Sequence, residues 1–262
     1  MTAADQPWRR RVVIAGSLLA VAGWVIGAPH LASLRPARLT YRDLPGLAPF
    51  RRLDTAGALS TGAGLLVGLD GTAPPDVAQD ARIAAVRDDP CTALFGPQTD
   101  SRPPIAFFSD FNCPNCRVLD AILRDYDVAN PGAIRIIRHE LPLLGAASTI
   151  ASQAVLAAER QGGYQAMHDR LMRTRLITDL DFVVAIANSA GLDGQRLAAD
   201  MQTPEIASTL DVSKAIAAVF GFYGTPSTVI GRTVFVGAIP AASVAQLIEM
   251  ERDALPMACN KG

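Results

Sequence analysis

The 262-residue chain has only four cysteines and three histidines. Four cysteines are too few for a disulfide-rich scaffold. A structural zinc site usually needs four Cys or His ligands, and the three histidines do not stand at ligand-like spacing from a cysteine: His30, His139 and His168. We therefore expect no metal site and no cofactor.

The chain also lacks a charge excess of either sign. It has 24 basic and 25 acidic residues, for a formal net charge of −1. Such a balance does not favour nucleic acid or another polyanion as a partner. Half of the residues are hydrophobic, so a sizeable core can form, and the length suits one medium domain with appendages or two small domains.

The N-terminal region combines positive charge with an apolar stretch. Arg9, Arg10 and Arg11 precede residues 12–28, which carry no charge. This stretch lies at the short end of the length that spans a membrane, and arginines before it favour a cytoplasmic N-terminus. Ile26-Gly27-Ala28 is a poor cleavage site, so residues 1–28 are predicted to be an export signal or, preferably, an uncleaved anchor helix. A buried N-terminal helix of a cytosolic protein is the alternative.

Residues 29–90 are interpreted as a linker or N-terminal extension that packs on the following domain. The segment is rich in Pro, Gly and Arg at its start. Leu65–Leu69 is compatible with a short strand, and Ala81–Val86 with a short helix.

The strongest local pattern begins at residue 105. Residues 105–111 form an apolar run typical of a buried strand, and Cys113-Pro114-Asn115-Cys116 follows directly. Helical spacing after the second cysteine leads to another strand at residues 133–138, which completes a β-α-β unit. Pro114 suits the first turn of the helix, where its missing N–H costs nothing.

The rest of the chain predicts a helical block followed by a hairpin and a last helix. Residues 145–221 have helical periodicity, with Pro204 opening the final helix of the block and Gly221 ending it. Strands at 227–230 and 233–236 are joined by a tight turn, and a helix follows at 242–252. The fold class is therefore α/β, with a thioredoxin-like core interrupted by an inserted helical subdomain.

Four segments in this order resemble the DsbA-like thioredoxin family, whose members are exported thiol–disulfide oxidoreductases with a helical insertion. They are Phe108-Ser109-Asp110-Phe111-Asn112-Cys113-Pro114-Asn115-Cys116, Arg138-His139-Glu140-Leu141-Pro142-Leu143-Leu144-Gly145, Gly224-Thr225-Pro226-Ser227 and Phe235-Val236-Gly237-Ala238-Ile239-Pro240. The resemblance runs from about residue 100 to the end. It implies a domain at residues 91–262 with the insertion at about 145–221.

The resemblance implies a role for each site residue. Cys113 is the nucleophile and Cys116 the resolving thiol, with Pro114, Asn115 and Asp110 supporting them. Pro226 is implied to be a cis-proline facing the cysteines, and Thr225 to offer backbone groups to an extended substrate.

The chain departs from the family pattern at two positions. Phe107 stands where members often carry a buried Glu, and Asn115 stands where the strongest oxidases carry His. The missing imidazole puts strong oxidising power in question.

Cys91 and Cys259 lie outside the motif, and we predict a structural disulfide between them. Exposed free thiols are uncommon in an oxidising compartment. Two unrelated thiols are the alternative.

The predicted function is thiol–disulfide exchange on exported proteins, as an oxidase or isomerase rather than a reductase. The expected partners are cysteine-containing exported proteins, a membrane or periplasmic redox partner that recycles the pair, and the inner membrane if the anchor is uncleaved. The expected location is the periplasmic side of the inner membrane, or the soluble periplasm after cleavage. Two alternatives remain: a thiolate module that binds or delivers a soft metal such as Cu(I), and a membrane-anchored peptide-binding protein whose cysteines only stabilise its site.

Overall fold

The computed structural model describes residues 39–54, 57–61, 76–97 and 100–254, together with the single residue Ser17. The described strands are β1 (Tyr41–Asp43), β2 (Arg51–Leu53), β3 (Pro104–Ser109), β4 (Arg135–Glu140), β5 (Ser227–Ile230) and β6 (Thr233–Val236). They form one sheet in the order β1-β2-β6-β5-β3-β4. The pairs β2–β6 and β3–β4 are parallel, and the other three pairs are antiparallel.

Helices cover both faces of this sheet. The described helices are α1 (Val77–Asp88), α2 (Pro90–Phe95), α3 (Pro114–Ala129), α4 (Ala146–Glu159), α5 (Tyr164–Arg173), α6 (Leu180–Ser189), α7 (Gly194–Asp200), α8 (Pro204–Phe220) and α9 (Ala241–Asp253). Helices α4 to α8 all lie between β4 and β5, where the sequence predicts the insertion. The thioredoxin-like α/β class with added helices is thus confirmed.

Strand β3 is central and fully buried. Its alternate residues point into two separate hydrophobic cores, with Ile105 and Phe107 on one side of the sheet and Ala106 and Phe108 on the other. Because both faces are covered, the strand reads as a continuous apolar run rather than as an alternation. The strand ends at Ser109, two residues before the predicted end, since residues 110–113 turn the chain into α3.

The helix ends and the hairpin turn predicted for the C-terminal half are present. Pro204 occupies the first turn of α8, and Gly221 ends that helix in the left-handed conformation with φ 62°. Strands β5 and β6 pair as an antiparallel hairpin in which Ile230 lies opposite Thr233. The intervening Gly231 has φ 54°, a conformation that favours glycine.

The segment interpreted as a linker contributes two strands to the sheet. Arg51 of β2 lies opposite Thr233 of the parallel strand β6, and β1 pairs with β2 outside it. An ion pair of 2.9 Å joins Arg51 to Glu251, a carboxylate that is 1% exposed. Because these strands are short and rich in Arg, they lack the apolar alternation that reveals a strand in sequence. Helix α1 covers the predicted Ala81–Val86, whereas Leu65–Leu69 lies outside the described residues.

The N-terminal anchor prediction falls on residues 12–28, which lie outside the described residues apart from Ser17. Within the part of the chain that the structure describes, no helix has the length and apolar character needed to cross a membrane. Cys91 lies in α2 and is disulfide-bonded. Because Cys259 lies outside the described residues, its pairing with Cys91 stays a prediction.

Candidate active site

The loop between β3 and α3 places the first cysteine at a helix N-terminus. The backbone N–H of Cys113 donates to the carbonyl of Asp110 at 3.0 Å, which closes a tight turn. Cys113 then caps α3: its Sγ accepts a hydrogen bond from the N–H of Cys116 at 3.1 Å. Pro114 occupies the first helical turn, as predicted. A sulfur in this position is stabilised as an anion by helix N–H groups and the helix dipole.

The Cys113 sulfur contacts two further polar groups. The Ser60 hydroxyl is 3.4 Å and the Thr225 carbonyl oxygen 3.3 Å from Sγ. The Nδ2 of Asn115 donates to the same Ser60 hydroxyl at 3.2 Å. The bond from the Cys116 thiol is the main cause that lowers the pKa of Cys113 to about 6, and the Ser60 hydroxyl adds to it against the opposing effect of burial. Cys113 is therefore largely a thiolate at neutral pH.

Cys116 has the opposite electrostatic environment. It lies one helical turn into α3, and both cysteine side chains are fully buried. Burial, followed by the hydrogen bond to Cys113, raises the pKa of Cys116 well above its usual value. The two thiols therefore differ strongly in nucleophilicity, as expected for an attacking and a resolving cysteine.

The loop before β5 lies against the cysteines. The Thr225–Pro226 peptide bond is cis, and the Thr225 carbonyl faces the Cys113 sulfur. The structure thus brings together the separately predicted elements Cys113, Cys116, Asn115 and the Thr225–Pro226 pair.

Asp110 holds the loop before Cys113 rather than contacting the thiol through its carboxylate. The side chain is fully buried, and its two oxygens accept four hydrogen bonds. The donors are the Asn112 N–H at 2.8 Å, the Leu143 N–H at 2.8 Å, the Leu144 N–H at 3.0 Å and the Ser148 hydroxyl at 2.7 Å. These bonds tie the loop before Cys113 to the chain that follows β4. Asp110 is a positioning residue.

Three titratable residues, two from the second motif segment and His168 from α5, serve packing. The His139 ring stacks on Phe108 with centroids 4.4 Å apart, and burial lowers its pKa to about 4. His168 is also buried, and burial with the nearby Arg138 charge lowers its pKa to about 4. Burial raises the pKa of Glu140 to about 7, and Tyr164 donates to that carboxyl group. No cluster of three or more His, Cys, Asp or Glu side chains suited to a metal ion occurs among the described residues.

Sequence reasoning did not identify Ser60 as a site residue. Its hydroxyl contacts both Cys113 and Asn115, yet it lies more than fifty positions before them. No motif or periodicity marks this serine, so only the folded structure reveals it.

The reactivity of Cys113 should follow its lowered pKa. Because only the thiolate is alkylated, the rate of Cys113 modification by iodoacetamide is expected to rise with pH and reach half its plateau near pH 6. An ordinary thiol reaches half its plateau near pH 8.5. Peptide mapping of the reduced protein should show Cys116 unmodified over the same range. A midpoint above about pH 8 for Cys113 contradicts this prediction.

Comparisons with known proteins agree with this geometry. Residues 104–249 match the family described as the DSBA-like thioredoxin domain. A thioredoxin-like oxidoreductase from Silicibacter pomeroyi DSS-3 is 31% identical; the alignment covers 62% of this chain and 98% of that one, with a TM-score of 0.58. The catalytic domain of Proteus mirabilis ScsC is 26% identical over 65% of this chain and 98% of that one, with a TM-score of 0.57.

A more distant structure shows the fold alone. It is the thiol–disulfide exchange protein α-DsbA2 from Wolbachia pipientis, 19% identical over 68% of this chain and 99% of that one, with a TM-score of 0.57. No curated protein matches the sequence. With a buried C-x-x-C pair at the start of α3, a cis-proline loop facing it and a family match over more than half of its length, the chain belongs to the DsbA-like thioredoxin family of thiol–disulfide oxidoreductases.

Proposed function

We propose that the protein introduces or rearranges disulfides in exported proteins, as an oxidase or isomerase rather than as a reductase. The observation that carries the proposal is the asymmetry of the pair: the pKa of Cys113 is lowered to about 6, while that of Cys116 is raised. Stabilising the thiolate of Cys113 stabilises the reduced pair, and a stable reduced form makes the disulfide form an oxidant.

The oxidase reaction follows from this asymmetry. A substrate thiolate attacks the Cys113 sulfur, the Cys113–Cys116 bond breaks, and Cys116 leaves with the electron pair and takes up a proton. A second substrate thiolate then attacks the substrate sulfur of the mixed disulfide and releases Cys113 as a thiolate. The substrate loses two electrons and the cysteine pair gains them, so a redox partner in the membrane or periplasm must reoxidise the pair.

Substrate recognition in this proposal uses the backbone of Thr225. Its carbonyl lies beside the Cys113 sulfur, so an extended peptide that pairs there brings its own cysteine to the reactive thiol. Main-chain pairing accepts many sequences, which fits a broad class of cysteine-containing proteins. The cis peptide bond between Thr225 and Pro226 sets the direction of the backbone at this position.

The sequence and a relative both support the proposed location. A periplasmic thioredoxin-like protein from Salmonella enterica serovar Typhimurium is 25% identical to this chain, with a TM-score of 0.50. With Arg9 to Arg11 before an uncharged stretch, this supports a site of action in the periplasm. The proposal covers both a membrane-anchored form and a soluble form released by signal cleavage. It includes no nucleic-acid partner.

The test is the transfer of a disulfide to a reduced, unfolded reporter protein that has two cysteines. The oxidised protein is expected to form the reporter disulfide and to lose the Cys113–Cys116 bond one for one, as measured by mass spectrometry after alkylation. Glutathione disulfide at the same concentration serves as the control. If the reporter is oxidised no faster than by glutathione disulfide, the oxidase proposal fails. A separate assay with a mispaired reporter then decides whether isomerisation occurs.

The copper alternative gains no support from the described residues, where only the two thiols converge. It predicts that the reduced protein retains stoichiometric Cu(I) and that Cys113→Ser loses it.

A further inference from the structure

Residues 57–61, here called the strap, lie along the loop edges beside the cysteines. Ala58 and Ala238 exchange both backbone hydrogen bonds, at 3.2 and 2.7 Å. The Gly57 N–H donates to the Val236 carbonyl at 2.9 Å. Ser60 and Thr225 exchange both of their bonds as well, at 2.7 and 2.9 Å. The strap therefore pairs antiparallel with these loop edges, and the pairing extends to Thr225, the residue before the cis-proline.

The strap and the surface under it fit closely. A Cβ added at Gly57 would lie 2.2 Å from the Ala238 carbonyl oxygen. A Cβ added at Gly224 would lie 2.7 Å from Leu59 Cδ1 and 2.8 Å from the Ser60 carbonyl oxygen. Glycine at these two positions allows the two backbones to approach closely, and a larger residue at either position would prevent this packing.

The strap occupies the edge that an extended substrate needs. Both backbone polar groups of Thr225 are bonded to Ser60, so neither is available to a peptide. The Ser60 hydroxyl lies 3.4 Å from Cys113 Sγ, in the place that a substrate cysteine sulfur must reach. Serine differs from cysteine only by oxygen in place of sulfur, so it makes the same approach without forming a disulfide.

We propose that the strap is an internal pseudosubstrate, in which Ser60 stands for the substrate cysteine and Ala58–Leu59 for the chain before it. The proposal rests on the proposed function, because it assigns the register of the substrate at the same site: the substrate cysteine lies opposite Thr225. Exchange with a protein substrate then requires the strap to leave. The strap competes with weakly binding or folded chains for the backbone groups of Thr225.

Two variants of Ser60 separate the strap from the thiol chemistry. Ser60→Pro removes the N–H that bonds to Thr225 and also the hydroxyl, whereas Ser60→Ala removes the hydroxyl alone. Both variants lose the same bond to Cys113, so their difference reports the backbone pairing. The second-order rate of reaction with an extended peptide disulfide is expected to be about tenfold higher for Ser60→Pro than for Ser60→Ala, the effect of one lost hydrogen bond in the competing strand.

The outcomes distinguish the two proposals. Equal rates for Ser60→Pro and Ser60→Ala overturn the pseudosubstrate while leaving the oxidoreductase function intact. Absence of exchange in the wild type and in both variants overturns the proposed function instead.

A cysteine placed at Ser60 tests the register directly. In the double variant Ser60→Cys, Cys116→Ser, the Cys113 thiolate attacks glutathione disulfide and releases one glutathione. The new thiol at position 60 then displaces the second glutathione and forms a disulfide with Cys113, which peptide mapping detects. The matched control is Ala58→Cys, Cys116→Ser, since two residues of strand shift the sulfur by about 7 Å, beyond disulfide reach. Crosslinking at position 60 but not at 58 supports the register, and equal or absent crosslinking at both overturns it.

Discussion

Replacing Cys113 with serine is expected to lower the rate of disulfide exchange by at least about a thousandfold, since removal of a nucleophile has effects of this order or larger in enzymes whose residues act as a unit. The hydroxyl of serine is not ionised near neutral pH and forms no mixed disulfide. Helix α3 should be unaffected, because serine caps helices well. The rate is measured with a peptide disulfide whose cleavage releases a fluorophore.

Cys116→Ser is the matched control for this experiment. It keeps Cys113 and places a hydroxyl where the resolving thiol was, so the first attack proceeds and a mixed disulfide accumulates. Mass spectrometry should find the substrate attached to Cys113. Retention of more than about a tenth of the wild-type rate in Cys113→Ser contradicts the assignment of Cys113 as the nucleophile.

Replacing Asp110 with alanine is expected to lower the free energy of unfolding by about 3–5 kcal/mol. The substitution removes a fully buried carboxylate and leaves its donors without partners, among them the N–H groups of Leu143 and Leu144. Urea unfolding of the oxidised protein, followed by circular dichroism, gives the loss.

Ser148→Ala provides the graded control, because it removes one of the four bonds to the same carboxylate. Its expected cost is about 1 kcal/mol. If Asp110→Ala costs no more than Ser148→Ala, Asp110 does not hold the loop before Cys113 as described.

Much of the core could be predicted from sequence because its signals are local. The apolar run of β3, the cysteine motif at the start of α3 and the turn between β5 and β6 each depend on neighbouring residues. Cys113 and Pro226 are far apart in sequence, and only the resemblance to a known family predicted that they lie close together. The structure gives the reason: Cys113 follows β3 and Pro226 precedes β5, and these two strands pair antiparallel. Helix α8 was bounded correctly by Pro204 and Gly221 for the same local reason.

The parts that could not be predicted depend on contacts distant in sequence. Strand β2 is recognisable only beside β6, because its charged residues are paired with partners such as Glu251 rather than alternating with apolar ones. Ser60 acquires its position from backbone bonds to Thr225, and such bonds leave no trace in the choice of side chain. Asp110 was expected to support the cysteines, but the way it does so was not predictable, because three of its four hydrogen-bond donors belong to the chain after β4.

An equilibrium titration of the Cys113–Cys116 pair with glutathione tests the central claim most directly. We predict a reversible two-electron couple whose potential lies above that of thioredoxin, which is about −270 mV. It should be displaced towards about −120 mV, the value of a strong oxidase, because the thiolate of Cys113 stabilises the reduced pair. A potential at or below about −270 mV contradicts the oxidase or isomerase role, and the absence of any reversible couple contradicts thiol–disulfide exchange as the activity of this protein.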